Sequence, residues 1–198
     1  MPKRCVFCGT RSLPNDASIC GACYADLPWA AGQTSIPPLV CAVAKLEYTF
    51  PVDAAIKAMK FNRRLDYVPA FADLLLESMA CLPDDIDALV PVPLHWRRQA
   101  ARGFNQAEEL CTPLAKFTGL PMLSNVKRVR ATPYQSALDA GHRHSNLQLA
   151  FSVQGEISAQ HVLIVDDVMT TGETCGQLAH ALLENGAQCV SALAIARA

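Results

Sequence analysis

The stretch Val162-Leu163-Ile164-Val165-Asp166-Asp167-Val168-Met169-Thr170-Thr171-Gly172-Glu173-Thr174 constrains the fold of this chain more than any other. Four consecutive apolar residues, mostly β-branched, suit a central strand covered on both faces, as in parallel sheets. Asp166 and Asp167 then fall at the carboxyl end of that strand, where open α/β sheets bind ligands. Beyond the loop, Cys175, Leu178, Ala179 and Leu182 recur at helical spacing, and Gly186 supplies a stop.

A loop that opens a helix presents unpaired N–H groups and the positive end of the helix dipole. Met169, Thr170, Thr171, Gly172, Glu173 and Thr174 therefore form a candidate phosphomonoester site that needs no lysine. Ionised carboxylates only accept hydrogen bonds, so Asp166 and Asp167 suit the hydroxyls of a sugar whose phosphate sits in the adjacent loop. Taken singly, each piece fits a solvated loop or a helix cap; the combination is what points to a ribose-phosphate site.

Upstream, Leu39 to Phe50 is rich in strand formers, and residues 52 to 60 and 66 to 82 show helical spacing. Lys57, Lys60, Arg63 and Arg64 are expected to stay polar and accessible. Ile86 to Pro93 reads as a second buried strand, ended by Pro91 and Pro93, which lack the N–H a ladder requires. His95, Arg97, Arg98 and Arg102-Gly103-Phe104-Asn105-Gln106 follow. Guanidinium groups suit phosphate oxygens, although a solvated helix face reads the same way. Gly103 is expected at a helix entrance, adding amide donors. Lys127 to Gln135, with Arg143 and Asn146, has little hydrophobic periodicity and reads as a loop able to cover a substrate.

Charge is sorted along the chain: residues 91 to 146 hold eight Lys/Arg against three Asp/Glu, and residues 156 to 198 hold one against five. A basic middle facing an acidic sugar site suits a polyanionic ligand, and it equally suits a nucleic-acid surface. With 51% hydrophobic and 18% charged residues, the 198-residue chain has the material for a substantial core. No apolar run approaches the ~20 residues of a bilayer span, and the N-terminus lacks a signal-like apolar region. The expectation is a soluble cytoplasmic protein with no membrane insertion and reduced thiols.

Cys5-Val6-Phe7-Cys8 and Cys20-Gly21-Ala22-Cys23 are two CxxC pairs separated by eleven residues. Their spacing closes a four-thiolate structural Zn2+ site with Cys5, Cys8, Cys20 and Cys23 as ligands. A redox CxxC and a set of reduced core thiols are the rival readings. Gly9 and Gly21 permit the turns such a module needs. Nucleic-acid or partner binding by the module and plain stabilisation of the fold both remain open. Cys41, Cys81, Cys111, Cys175 and Cys189 read as core thiols. Residues 1–30 are expected to form the zinc-binding module and residues 31–198 the main domain.

The Val162 to Thr174 block resembles the ribose-phosphate signature of the type I phosphoribosyltransferases. Together with the four cysteines, Pro91-Val92-Pro93-Leu94, Arg102 to Gln106, Arg128 to Gln135, Arg143, Asn146 and Ala150-Phe151, it resembles the ComF/GntX family over essentially the whole chain. The resemblance implies a type I phosphoribosyltransferase-like α/β fold, a parallel sheet flanked by helices, behind a small zinc ribbon. It implies 5-phosphoribosyl-1-pyrophosphate (PRPP) bound with Mg2+, its ribose on Asp166 and Asp167 and its 5-phosphate on Met169 to Thr174. Pyrophosphate would lie against Pro93, Leu94, Arg98, Arg102 and Gly103. It further implies a cis peptide before Pro91 or Pro93. The implied activity is phosphoribosyl transfer to an unidentified acceptor, with a role in natural competence and DNA uptake. The alternative is a non-catalytic accessory that binds single-stranded DNA and uses the PRPP pocket as a sensor or vestige. Partners of the family's type would be single-stranded DNA and a competence helicase or other DNA-uptake proteins.

Overall fold

The computed structural model describes residues 4–11, 18–129 and 150–198. Near the N-terminus, α1 (Gly21–Ala25) follows directly on Cys20, whose sulfur accepts the Cys23 N–H. The chain then runs beside β2 (Cys41–Glu47): Ala30 N–H donates to Lys45 O, Glu47 N–H donates to Pro28 O, and β1 (Gln33–Thr34) pairs antiparallel with the same strand. The junction expected near residue 30 thus lies where the chain already flanks the main sheet.

β2 belongs to a five-stranded sheet of order β1-β2-β7-β6-β3, built with β3 (Ala88–Pro91), β6 (His161–Met169) and β7 (Cys189–Arg197). All pairings except β1 with β2 are parallel. Val162 to Val165 are fully buried at its centre, as a strand covered on both faces requires. One face packs on α2 (Val52–Asn62), α3 (Tyr67–Ser78) and α5 (Gln106–Thr118), through residues such as Ile56, Phe71 and Leu110. The other packs on α6 (Glu173–Glu184) through Leu178 and Leu182. Because side chains alternate along a strand, Leu163 and Val165 serve the first core and Val162 and Ile164 the second.

α4 (Trp96–Arg102) separates β3 from α5, and a two-stranded sheet of β4 (Val126–Arg128) and β5 (Phe151–Val153) lies against the α6 side. Only Lys127, Arg128 and Val129 of the expected covering loop are among the described residues; Arg130 to Gln135, Arg143 and Asn146 lie outside them. Among the described residues no helix is long and apolar enough to cross a membrane.

Three local expectations are corrected. Among the described residues the cis peptides are Pro37-Pro38 and Phe50-Pro51, so the bonds before Pro91 and Pro93 are trans; β3 runs straight to Pro91, and Val92 N–H closes the ladder on Val165 O. Gly103 is a helix exit, at φ +81 as the C-cap of α4, with Asn105 capping α5 after it. Among the cysteines expected in the core, Cys41, Cys111 and Cys175 are buried, whereas Cys189 is half-buried and Cys81 is exposed.

Candidate functional site

β6 outruns β3. The β3 ladder ends at the Pro91–Val165 pair, whereas β7 stays paired with β6 through Asp166, Val168 and Met169. Asp166 and Asp167 therefore lie at the carboxyl end of the strand, as expected, on the step where one neighbour has left. Alternation starts the two side chains from opposite faces of the strand, but their carboxyl groups remain within reach of each other. Asp167 is buried and its Oδ2 lies 2.8 Å from Lys60 Nζ of α2. Asp166 faces the α6 side, within the electrostatic reach of Arg128 and Cys175.

Burial, and then the charge of Asp167, push the Asp166 carboxyl above the usual carboxylate range. The Asp167 N–H, 2.8 Å from Asp166 Oδ1, and the Lys60 ammonium act in the opposite sense. Burial also pushes the Cys175 thiol up, with the Asp166 charge adding to it, so this cysteine is an inert floor rather than a nucleophile.

The loop from Thr170 to Glu173 leads from β6 into α6. Thr170, Thr171 and Glu173 are exposed, Thr174 is half-buried, and Met169 and Gly172 are buried. Gly172 is the N-cap of α6 at φ +76 and makes no side-chain cap, which leaves the helix N-terminus open to an external acceptor. Thr171 Oγ1 accepts the Glu173 N–H at 3.4 Å, and Glu173 itself accepts from Gln177 along the helix. A Cβ on Gly172 would stand 2.8 Å from Ile36 Cδ1 and 3.0 Å from its Cγ2. Ile36 thus clamps the loop from outside.

Opposite the acids, Pro93 and Leu94 are half-buried in the turn between β3 and α4. Two buried side chains hold that turn: His95 caps α4, accepting the Arg97 N–H on Nδ1, and Asn105 Nδ2 donates to Val92 O at 3.1 Å. Arg98 is exposed on α4. Arg102 donates to Gln106 Oε1 at 3.0 Å and lies 5.2 Å from the Phe61 ring centroid. Burial pushes its guanidinium below the ordinary value; Asp167 opposes this by attraction, and Arg98 reinforces it by repulsion. Arg128 is lowered by burial and then by Arg98, with Asp166 opposing. Two arginines and a lysine are therefore in electrostatic reach of the two carboxylates, with Arg98 beyond the arginines.

Gly103 contributes differently from the expected amide donor. Its N–H is bonded to Gln99 O at 2.7 Å, and its missing side chain lets the Arg63 guanidinium lie against it. Arg63, left-handed at φ 54 at the end of α2, donates through Nε and Nη2 to Arg102 O at 3.2 and 2.8 Å. Lys60 and Arg63 were legible only as polar residues at a helix end. No local motif marks them, because their partners lie 107 and 39 residues away.

The four thiols Cys5, Cys8, Cys20 and Cys23 converge, their sulfurs all within 4.8 Å of one another. The Cys8 and Cys20 sulfurs are 3.7 Å apart, matching the edge of about 3.8 Å that a thiolate tetrahedron around Zn2+ requires. The Thr10 hydroxyl holds the Cys8 thiol down at about 6, toward the thiolate a metal needs. Phe7, between the first two cysteines, meets Tyr67 and Phe71 of α3 edge-on at 5.7 and 6.4 Å. A metal-sized thiolate cluster is thus docked beside the α2–α3 turn that carries Arg63.

Residues 102–198 match the phosphoribosyl transferase domain. The chain is 37% identical to DNA utilization protein YhgH of Salmonella typhi, over 98% of this chain and 89% of that one. It is 33% identical to Competence protein F of Haemophilus influenzae, over 98% and 84%, and 28% identical to Competence protein ComFC of Bacillus subtilis, over 70% and 56%. With the acid pair, the open helix terminus and the four-cysteine cluster in their expected order along one α/β sheet, this chain belongs to the ComF family of phosphoribosyltransferase-like proteins.

Proposed function

We propose that the protein binds PRPP across the end of β6 and transfers its phosphoribosyl group to an acceptor, in the handling of DNA that the names of its relatives describe. One observation carries this reading: β6 runs past the end of β3, carrying Asp166 and Asp167 toward the uncapped N-terminus of α6, with Arg102 of α4 and Lys60 of α2 in electrostatic reach of Asp167.

In this reading the amides and hydroxyls of Thr170 to Thr174 hold the 5-phosphate, with Met169 closing the loop from below. Asp166 and Asp167 accept hydrogen bonds from the ribose hydroxyls and favour positive charge developing at the anomeric carbon. Arg98, Arg102 and the Pro93-Leu94 turn receive the departing pyrophosphate, while Gly103 admits the Arg63 side chain that fixes α4. Hard carboxylate oxygens beside a phosphate site fit Mg2+, which keeps most of its waters and would supply neutralisation of pyrophosphate charge. Zn2+ on Cys5, Cys8, Cys20 and Cys23 is structural, since four thiolates leave no open position.

Calorimetric titration of PRPP with Mg2+ into the wild type and an Asp166→Asn/Asp167→Asn variant tests the reading. Binding by the wild type alone supports it; binding by neither refutes it.

A second observation favours contact with single-stranded DNA near Arg102. Phe61, 69% exposed, lies against Arg102, and Trp96, 64% exposed, lies 5.2 Å from Arg97. Exposed aromatic faces paired with arginines are what base stacking along a charged backbone uses. A Phe61→Ala/Trp96→Ala variant that binds an oligonucleotide as tightly as the wild type at low salt would remove this reading.

A further inference from the structure

Two lysines on α2 behave differently. Lys57, with its side chain 56% exposed, reaches along its own helix to Asp53 at 2.8 Å, the ordinary fate of a surface lysine. Lys60 sits one turn on, beside the buried Met59, and its side chain is only 20% exposed. It turns inward to Asp167 Oδ2, whose side chain is 10% exposed. Its helix end is itself fixed, because Arg63 forks onto Arg102 O just beyond it.

Among the described residues, the charged and titratable groups facing the acid pair come from four elements: Lys60 on α2, Arg102 on α4, Arg128 on β4 and Cys175 on α6. Two neighbouring carboxylates repel, and a carboxylate that takes up a proton loses part of its capacity as an acceptor. A cation fixed on one oxygen of Asp167 offsets the repulsion and holds that carboxylate in place.

We propose that Lys60 is a positioning residue for the ribose half of the site: its ammonium, held on Asp167 Oδ2, orients that carboxylate so that Oδ1 accepts a sugar hydroxyl. This rests on the reading of Asp166 to Thr174 as a ribose-phosphate site and divides that site in two. The phosphate loop works without Lys60, and the diol half depends on it.

Ribose 5-phosphate and inorganic phosphate, titrated separately, read the two halves. Lys60→Met keeps the stem and removes the charge. It weakens ribose 5-phosphate by at least about tenfold, the range for a lost charged hydrogen bond, and leaves inorganic phosphate within about twofold. Lys60→Arg restores most of the ribose 5-phosphate affinity. Equal loss of both ligands, or no loss of either, overturns the proposal while leaving the ribose-phosphate reading intact. Failure of the wild type to bind ribose 5-phosphate overturns that reading, and the proposal with it.

Discussion

Gly172→Ala isolates how the phosphate loop is held. The residue sits at φ +76, where a Cβ costs about 1 kcal/mol. The same Cβ would lie 2.8 and 3.0 Å from Ile36 Cδ1 and Cγ2, closer than carbon atoms pack, and such overpacking costs about 1–3 kcal/mol. The single variant should therefore lose about 2–4 kcal/mol in urea unfolding, read as a lower midpoint at unchanged slope. Ile36→Ala removes the obstacle but not the backbone strain, so the double variant should be more stable than the two losses added together predict. The cycle should give a coupling of about 1–2 kcal/mol. Additivity within about 0.5 kcal/mol would refute the clamp, because it would mean that Ile36 yields freely and only backbone strain operates.

Further outcomes follow from the same geometry. The folded-state value of Asp166 is raised, so the native state holds its proton more tightly than the unfolded chain. That stabilisation is complete below the ordinary carboxylate value and falls away as pH rises from roughly 4 through the raised value. Asp166→Asn should flatten this part of the stability–pH curve, and an unchanged slope in chemical denaturation would count against it. Stripping metal with a chelator, or replacing Cys20 by Ser, should release about one equivalent of zinc and lower the melting temperature, with increased hydrogen exchange in α3, on which Phe7 packs. Arg63→Ala should raise hydrogen exchange across 96–103 while changing global stability by less than about 1 kcal/mol, since an exposed side chain supplies the two bonds to Arg102 O.

The acidic half of the site was readable because its logic is local. Four apolar residues demand a covered strand, the acids follow in register, and Gly172 meets its turn within five residues of Asp167. The zinc-type cluster was readable for the same reason, as CxxC spacing encodes its own geometry. The carboxyl end of β6 is held by pairing with residues 194 to 197 of β7, contacts that no window around Asp166 contains. Gly103 misled because a glycine with positive φ fits either end of a helix, and only Gln99 O and the Arg63 guanidinium decide which.

The roles of Lys60 and Arg63 on the cationic side were illegible for a physical reason that also bears on specificity. Asp166, Asp167, the loop and Arg102 all fall within residues 102–198, the part that matches the phosphoribosyl transferase domain. Lys60, Arg63, the Pro93-Leu94 turn and Arg98 precede it. α2 runs into the turn and α3, against which the cysteine module packs through Phe7, Tyr67 and Phe71. In the proposed reading the anchor for the ribose phosphate therefore comes from residues 102–198, with Arg102 among the groups that would meet pyrophosphate. Arg98, the Pro93-Leu94 turn and the lysine held on Asp167 come from the other half, on which the four-cysteine module packs. Perturbing the module should consequently reach the ligand through Arg63 and α4 before it reaches the phosphate loop, so metal removal should weaken pyrophosphate binding more than inorganic phosphate binding at the α6 terminus. Equal loss of the two, measured by titration before and after chelation, would show that the module supports the fold as a whole rather than the cationic wall of the site.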